Sequence, residues 1–206
     1  MTQTHVGIVN YGAGNVASLG NAFRHLRSPV RLVTSPEDLT GLTHLVLPGV
    51  GSFGFCADRL RSSGMQEHVI RWAMHDKRPL LGVCVGMQLL TQGSDETPGV
   101  AGLGWIPVTT RRLPDEDRTL RLPHVGWDDV DFSDGFALRS QQQQDFYFDH
   151  TFALLDSAPD LATATCDYAG GFLAAVRFAN VVGAQFHPEK SQRAGLDFLQ
   201  FFLDTA

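Results

Sequence analysis

The chain has 206 residues, 43% hydrophobic and 18% charged, which is enough for one substantial domain that buries its own core without disulfide or metal staples. Lys+Arg is 16 and Asp+Glu is 22, so the net charge is −6, and with no basic run this argues against nucleic acid or an anionic membrane as the main partner. Three cysteines at unrelated spacings, Cys56, Cys84 and Cys166, make neither a disulfide framework nor a zinc site.

The first residues, MTQTHVGIVNYG, carry no basic stretch before their apolar run, so free thiols in the cytoplasm are expected. The longest apolar stretch, Leu80 to Met87, is far short of a bilayer span. Val6–Val9 is a strand, followed by the turn Tyr11-Gly-Ala-Gly14 and a helix from Val16 to Leu26. Val30–Val33 and His44–Leu47 are further strands, the second ending in Pro48-Gly-Val-Gly51. A helix from Gln66 to His75 puts Val69, Trp72 and Ala73 on one face. Pro79–Val83 is apolar throughout, as a parallel strand covered on both faces should be, and a helical run starts at Val85. Strand, glycine turn, helix, repeated, predicts an open, mostly parallel α/β sheet flanked by helices.

After Ser94 the pattern changes. Val108–Arg111, Val125–Val130, Phe146–His150, Phe172–Phe178 and Val181–Phe186 read as strands joined by short turns, an antiparallel extension in the C-terminal half. A closing helix, Ser191 to Asp204, turns Leu196, Leu199, Phe202 and Leu203 to the core. Asp115–Asp117 and Gln141–Gln144 read as solvated loops. No repeat or linker divides the sequence, so residues 1–206 are expected to form one domain.

Leu80-Leu-Gly-Val-Cys-Val-Gly-Met-Gln88 carries the most chemistry. Gly82-x-Cys84-x-Gly86 at a strand-to-helix junction is the sulfur counterpart of a nucleophile elbow, where the glycines permit a tight, strained turn. The helix start favours a thiolate, and the Val85 N–H is left free to face a developing oxyanion. The plainer reading, a buried cysteine between packing glycines, suits Cys56 and Cys166, which lack this setting.

A thiol nucleophile needs a base, and there are eight histidines. His25, His68 and His75 fall in polar helical stretches, and His5 and His44 at strand starts. His124 and His150, at strand edges, stay open. His187 ends an apolar strand and precedes Pro188 and Glu189. In extended backbone, residues two apart point the same way, so Glu189 is placed to orient the imidazole and stabilise its protonated form. Alone, His-Pro-Glu is more simply a strand-ending turn with a solvated carboxylate. Beside a cysteine elbow it predicts a triad.

Leu47-Pro-Gly-Val-Gly-Ser-Phe53 is a glycine turn at the carboxyl end of a strand, where open α/β sheets place their ligands. Its N–H groups suit an oxyanion hole. A phosphate cradle is the competing reading, although the P-loop lysine and hydroxyl are missing. Tyr11-Gly-Ala-Gly-Asn15 is a similar turn suited to docking or packing. No metal-ligand spacing appears, and no cofactor is expected.

Elbow, glycine turn and His-Pro-Glu together resemble the class I (triad) glutamine amidotransferases. Ile8-Val-Asn-Tyr-Gly-Ala-Gly-Asn15, Leu122-Pro-His-Val-Gly-Trp127, Phe146-Tyr-Phe148 with His150, and Gln185-Phe-His-Pro-Glu-Lys-Ser191 are similar to the glutaminase subunits of imidazole glycerol phosphate synthase (HisH-type) within them. The resemblance covers essentially the whole chain. It implies Cys84 as nucleophile, His187 as base and then acid, and Glu189 as the orienting carboxylate. It further implies oxyanion N–H groups from Val50, Gly51 and Val85, and a glutamine site from Gln88, Glu96, Thr151 and Phe152. Asn15, Trp127 and Lys190 match positions that face the partner. That partner is a HisF-type barrel cyclase, joined as a heterodimer in histidine biosynthesis. Three positions depart from the pattern: Phe152 stands where tyrosine is common, Asp128 where asparagine is common, and Asp149 where an apolar residue is usual. Two other readings compete, a glutaminase subunit serving a different synthase and a non-catalytic regulatory relative. The intact triad disfavours the second.

Overall fold

A computed structural model describes residues 4–115, 120–136 and 144–205. Asp115–Asp117 and Gln141–Gln144 lie largely outside the described residues. The N-terminal half alternates strand and helix: β1 (Val6–Val9), α1 (Val16–His25), β2 (Val30–Val33), β3 (His44–Gly49), α2 (Phe53–Ser62), α3 (Met65–Ile70), β4 (Leu80–Cys84) and α4 (Val85–Gln88). Strands dominate the rest: β5 (Thr91–Ser94), β6 (Ile106–Arg112), β7 (His124–Phe132), β8 (Gln144–His150), β9 (Phe152–Ala153), β10 (Ala162–Cys166), β11 (Phe172–Phe178) and β12 (Val181–Ala184), with α5 (Gln192–Leu203) last.

Nine strands form one sheet in the order β2-β1-β3-β4-β12-β11-β10-β7-β8. From β2 to β12 neighbours are parallel, and from β12 to β8 they are antiparallel. The expected mixed α/β sheet is therefore present, and β12 is its seam. Every residue of β1, β3, β4 and β12 is buried, which is why these strands are apolar apart from His44 at the start of β3. A smaller sheet, β5-β6-β9, sets Phe152 beside Arg112.

Several elements differ from the sequence reading. The helix expected over Gln66–His75 begins at Met65 and winds from Arg71 to His75 as a π-turn, still burying Val69, Trp72 and Ala73. The run from Val85 stops after one turn, because the chain leaves at Thr91 as β5. The strand expected to reach Phe186 ends at Ala184. In α5 the buried face is Gly195, Phe198, Leu199 and Phe202, with Phe201 also buried; Leu196 and Leu203 are only half-buried. Phe198 earns its place by packing on Phe186 (ring centroids 4.9 Å apart), which in turn lies 4.1 Å from Phe146. Elements β5, β9, β10 and α2 were not anticipated. The α2 face, Phe53, Cys56, Ala57 and Leu60, has helical spacing, and Ser52 caps it by accepting from Phe55 N at 3.3 Å.

Candidate active site

Cys84 ends β4 and immediately precedes α4, with φ 54° and ψ −116°. A side chain rarely occupies that conformation, and the surroundings impose it. A Cβ on Gly82 would sit 2.7 Å from the Gly86 carbonyl oxygen, and one on Gly86 would overlap the Leu47 carbonyl. A Cβ on Gly49 would in turn meet Val85 and Gly86. The elbow and the glycine turn of β3 are thus in backbone contact, and only glycine fits at the joint.

His187 reaches the same place from the neighbouring strand. β12 pairs in parallel with β4, Ala184 opposite Val83, so both chains leave the sheet at the same edge. Beyond it, His187 N donates to the Tyr147 carbonyl at 2.8 Å, and the Ser191 hydroxyl donates to the His187 carbonyl at 2.7 Å. These bonds hold the main chain around the imidazole. Its Nδ1 lies 3.0 Å from Glu189 Oε1, on the 3-10 turn Pro188–Lys190, and both side chains are at most 5% exposed. Burial pulls the imidazole down, but hydrogen bonding and charge from the Cys84 sulfur and then Glu189 outweigh it and lift His187 to about 10. A protonated imidazole beside sulfur is the arrangement of a cysteine nucleophile with its acid and base in place.

Cys84 and His187 open on a cleft of about 500 Å³, and Glu189 is buried against the imidazole. Val50, Gly51 and Val85 line it next to Cys84. Val85 is the first residue of α4, whose leading N–H groups have no intrahelical partner, and Gly51 adopts φ 109°. Gln88 and Glu96 line another wall with Thr151 and Phe152. Glu96 Oε2 accepts from Phe53 N at 2.7 Å, tying the start of α2 to the cleft, and Gln88 Nε2 donates to the Phe152 carbonyl at 2.8 Å. Asn15 and Lys190 stand at the rim. Asn15 also caps α1 by accepting from Ser18 N, a local role of its own. Trp127 is outside the cleft, 44% exposed, edge-on to Tyr147, whose ring Lys190 Nζ overlies at 4.9 Å.

Two residues at the site escaped sequence reasoning. Gln185 Nε2 donates to the Cys84 sulfur at 3.7 Å, and its Oε1 accepts from Gln88 at 3.0 Å. A lone glutamine in the otherwise apolar run Val181–Phe186, two residues before His187, was the available signal, and the structure buries it wholly. Tyr11 donates its hydroxyl to the Pro48 carbonyl at 2.5 Å, so the first glycine turn braces the second. Cys56 beneath that turn donates to the Val50 carbonyl, and burial raises its thiol to about 11. Burial likewise takes Cys166 to about 12, which suits packing for both.

The family described as Glutamine amidotransferase class-I matches residues 7–205. The imidazole glycerol phosphate synthase subunit HisH of Bdellovibrio bacteriovorus is 40% identical over 200 residues, covering 95% of this chain and 97% of that protein. The HisH subunit of Methanothermobacter thermautotrophicus is 37% identical, over 97% and 98% of the two chains. A longer relative, imidazole glycerol phosphate synthase hisHF of Arabidopsis thaliana, is 39% identical over 201 residues that make up 34% of its length. Among solved structures, a glutamine amidotransferase superposes with TM-score 0.79 at 20% identity, covering 97% of each chain, a likeness of fold.

Proposed function

The chain belongs to the glutamine amidotransferase class-I family and, within it, to the imidazole glycerol phosphate synthase HisH subunits; on that premise we propose that Cys84, His187 and Glu189 are its catalytic triad. The observation that carries the reading is that Cys84 and His187 line one cleft, with His187 held 3.0 Å from the buried Glu189.

Cys84 gives its proton to His187 and attacks the side-chain amide carbon of L-glutamine. The carbonyl oxygen becomes an oxyanion, received by N–H groups of Val85 and of the Val50–Gly51 turn. Loss of one such donor costs about 10²–10³ in rate. His187 protonates the departing nitrogen, which leaves as ammonia, and a γ-glutamyl thioester remains on Cys84. Water, deprotonated by His187, then hydrolyses the thioester to glutamate. Gln88, Glu96 and the Thr151–Phe152 main chain hold the glutamine head group.

Ammonia released to water at neutral pH is largely protonated, as amines are, and no longer nucleophilic. It therefore passes directly to an acceptor site on a partner, a HisF-type cyclase subunit that makes imidazole glycerol phosphate and AICAR in histidine biosynthesis. The longer Arabidopsis thaliana relative, of which this chain spans 34%, supports a partner of that kind. Asn15, Trp127 and Lys190 face it. Residues 1–206 act as one glutaminase unit, paired as a heterodimer in the cytoplasm. Glutamine hydrolysis is low alone and rises strongly when partner and nucleotide substrate are added.

An ammonia-release assay on the pair, wild type against Cys84→Ala, tests the triad, and a glutamine-mimicking diazoketone should label Cys84 covalently. Hydrolysis that survives in the variant removes Cys84 from the mechanism. Equal turnover with and without the partner removes the coupling.

A further inference from the structure

Two histidines near the cleft have no part in that chemistry. His124 opens β7, His150 closes β8, and they sit opposite each other across the strand pair. His124 Nδ1 is 3.1 Å from His150 Nε2, and His124 Nε2 is 2.7 Å from Asp128 Oδ2. At the other end, His150 Nδ1 is 3.1 Å from the Phe152 carbonyl oxygen, which also accepts from Gln88 Nε2. Three junctions in line join Asp128, whose side chain is 42% exposed, to the cleft wall.

Protons along this line can be counted. A neutral imidazole has one N–H, whereas a carboxylate and a carbonyl only accept. Two neutral rings supply two donors for three junctions. Whichever tautomers they adopt, one junction sets two lone pairs face to face. A third proton, shared by His124 and Asp128, satisfies all three. When that proton leaves, the junction retained is the short, charge-assisted one to Asp128, since bonds to ionised groups are roughly twice as strong as neutral ones. His124 then keeps its proton on Nε2, and His150 donates from Nε2 to the bared His124 Nδ1, because the Phe152 carbonyl still has the Gln88 N–H whereas that buried nitrogen has no other donor among the described residues. The lone pair of His150 Nδ1 is turned on the Phe152 carbonyl.

We propose that Asp128, His124 and His150 are positioning residues, whose shared proton count sets the Phe152 carbonyl, and with it the Gln88 side chain, at the wall of the glutamine cleft. The proposal rests on the glutaminase reading. With three protons the wall is held, and with two it is pushed away, so KM for glutamine rises as pH rises.

The surroundings favour this assignment. Tyr168 and Phe148 stack on His124 at 3.9 and 4.8 Å, and Phe172 packs edge-on to both rings. Burial pulls His124 down against the opposing effect of Asp128. Burial, with His124 and His187 adding, takes His150 to about 3, so the extra proton belongs to the His124–Asp128 junction. Among the described residues, Tyr168, Cys166 and Asp167 on the side of β10, Asp129 on β7 and Asp145 on β8 are the other titratable groups near that junction.

The test compares wild type with Asp128→Asn, cyclase partner present, measuring KM and kcat for glutamine from about pH 5 to 8. An asparagine amide donates to His124 Nε2 without titrating. Wild-type KM should rise about three- to tenfold across the range, the size of one neutral hydrogen bond, while the variant stays at the low value. A flat wild-type KM, or an unchanged rise in the variant, overturns the proposal. Imidazole nitrogen NMR reads the chain without turnover: His124 should pass from doubly protonated to the Nε2–H tautomer in wild type and stay Nδ1–H in the variant. A wild-type His124 that stays Nδ1–H also overturns it. A tautomer shift in a protein that releases no ammonia would instead count against the glutaminase reading.

Discussion

Glu189→Gln keeps the outline of a side chain and removes its charge. Glu189 is 1% exposed at its side chain, Oε1 accepts from His187, and Oε2 has no hydrogen-bond partner among the described residues. An amide here still accepts at Oε1 and breaks no bond at the other atom, so the fold should survive. The change is electrostatic. A rise of His187 from an ordinary imidazole to about 10 corresponds to about 5 kcal/mol in favour of its protonated form. Burial acts against this rise, so Cys84 and Glu189 together supply more than the net figure; the Glu189 share is taken as one charge-assisted hydrogen bond, about 2 kcal/mol, or about 30-fold in kcat/KM. Ammonia release measures the rate, and the pH dependence of Cys84 alkylation by iodoacetamide measures the loss of the pair. A variant within about threefold of wild type, with His187 still titrating near 10, would refute the orienting role of this carboxylate.

The same residue gives a stability signature. Because the folded-state value of His187 is raised, its contribution is complete below about pH 6.5 and is lost as pH rises through about 10. Urea midpoints of wild type and Glu189→Gln should therefore converge at the alkaline end, and a gap that widens there contradicts the sign. Cys84→Gly relieves the positive φ that Cys84→Ala retains, so it should melt about 2–4 °C higher for about 1 kcal/mol of relief; equal melting of the two would show that the elbow is unstrained. Tyr11→Phe leaves the buried Pro48 carbonyl without its donor and should cost about 1–3 kcal/mol by denaturant titration, with no loss meaning that the brace is idle.

The elbow was legible because its chemistry is local: five consecutive residues dictate Gly82, Cys84 and Gly86. His187 was legible by elimination; Glu189 was reached by assuming the two-residue period of extended chain, whereas the strand ends at Ala184 and the 3-10 turn Pro188–Lys190 brings the carboxylate to the imidazole. The parallel half was readable because doubly covered strands must be apolar, as in Leu80–Cys84. What escaped depended on distant partners. β10 is half-buried Ala162–Cys166, with little pattern until β11 and β7 flank it. The two residues of β9 are a strand only because Arg111 and Arg112 lie beside them. In α5 the apolar residues exceed one face, and only the aromatic stack of Phe146, Phe186 and Phe198 decides which turn inward. Gln185 read as one more residue of the strand Val181–Phe186 until Gln88 and Cys84 closed around it.

Seating β12 beside β4 has a consequence for how the protein is made. Some 101 residues separate Cys84 from Gln185, so the ribosome delivers the sulfur long before His187, the base proposed to activate it. On the proposed triad, the nascent polypeptide carries a thiol with no proton acceptor during translation, harmless toward cellular glutamine. Competence arrives in a single late event, when the C-terminal strand slots into the gap between two others, so a prematurely terminated product would be inert rather than a leaky consumer of nitrogen.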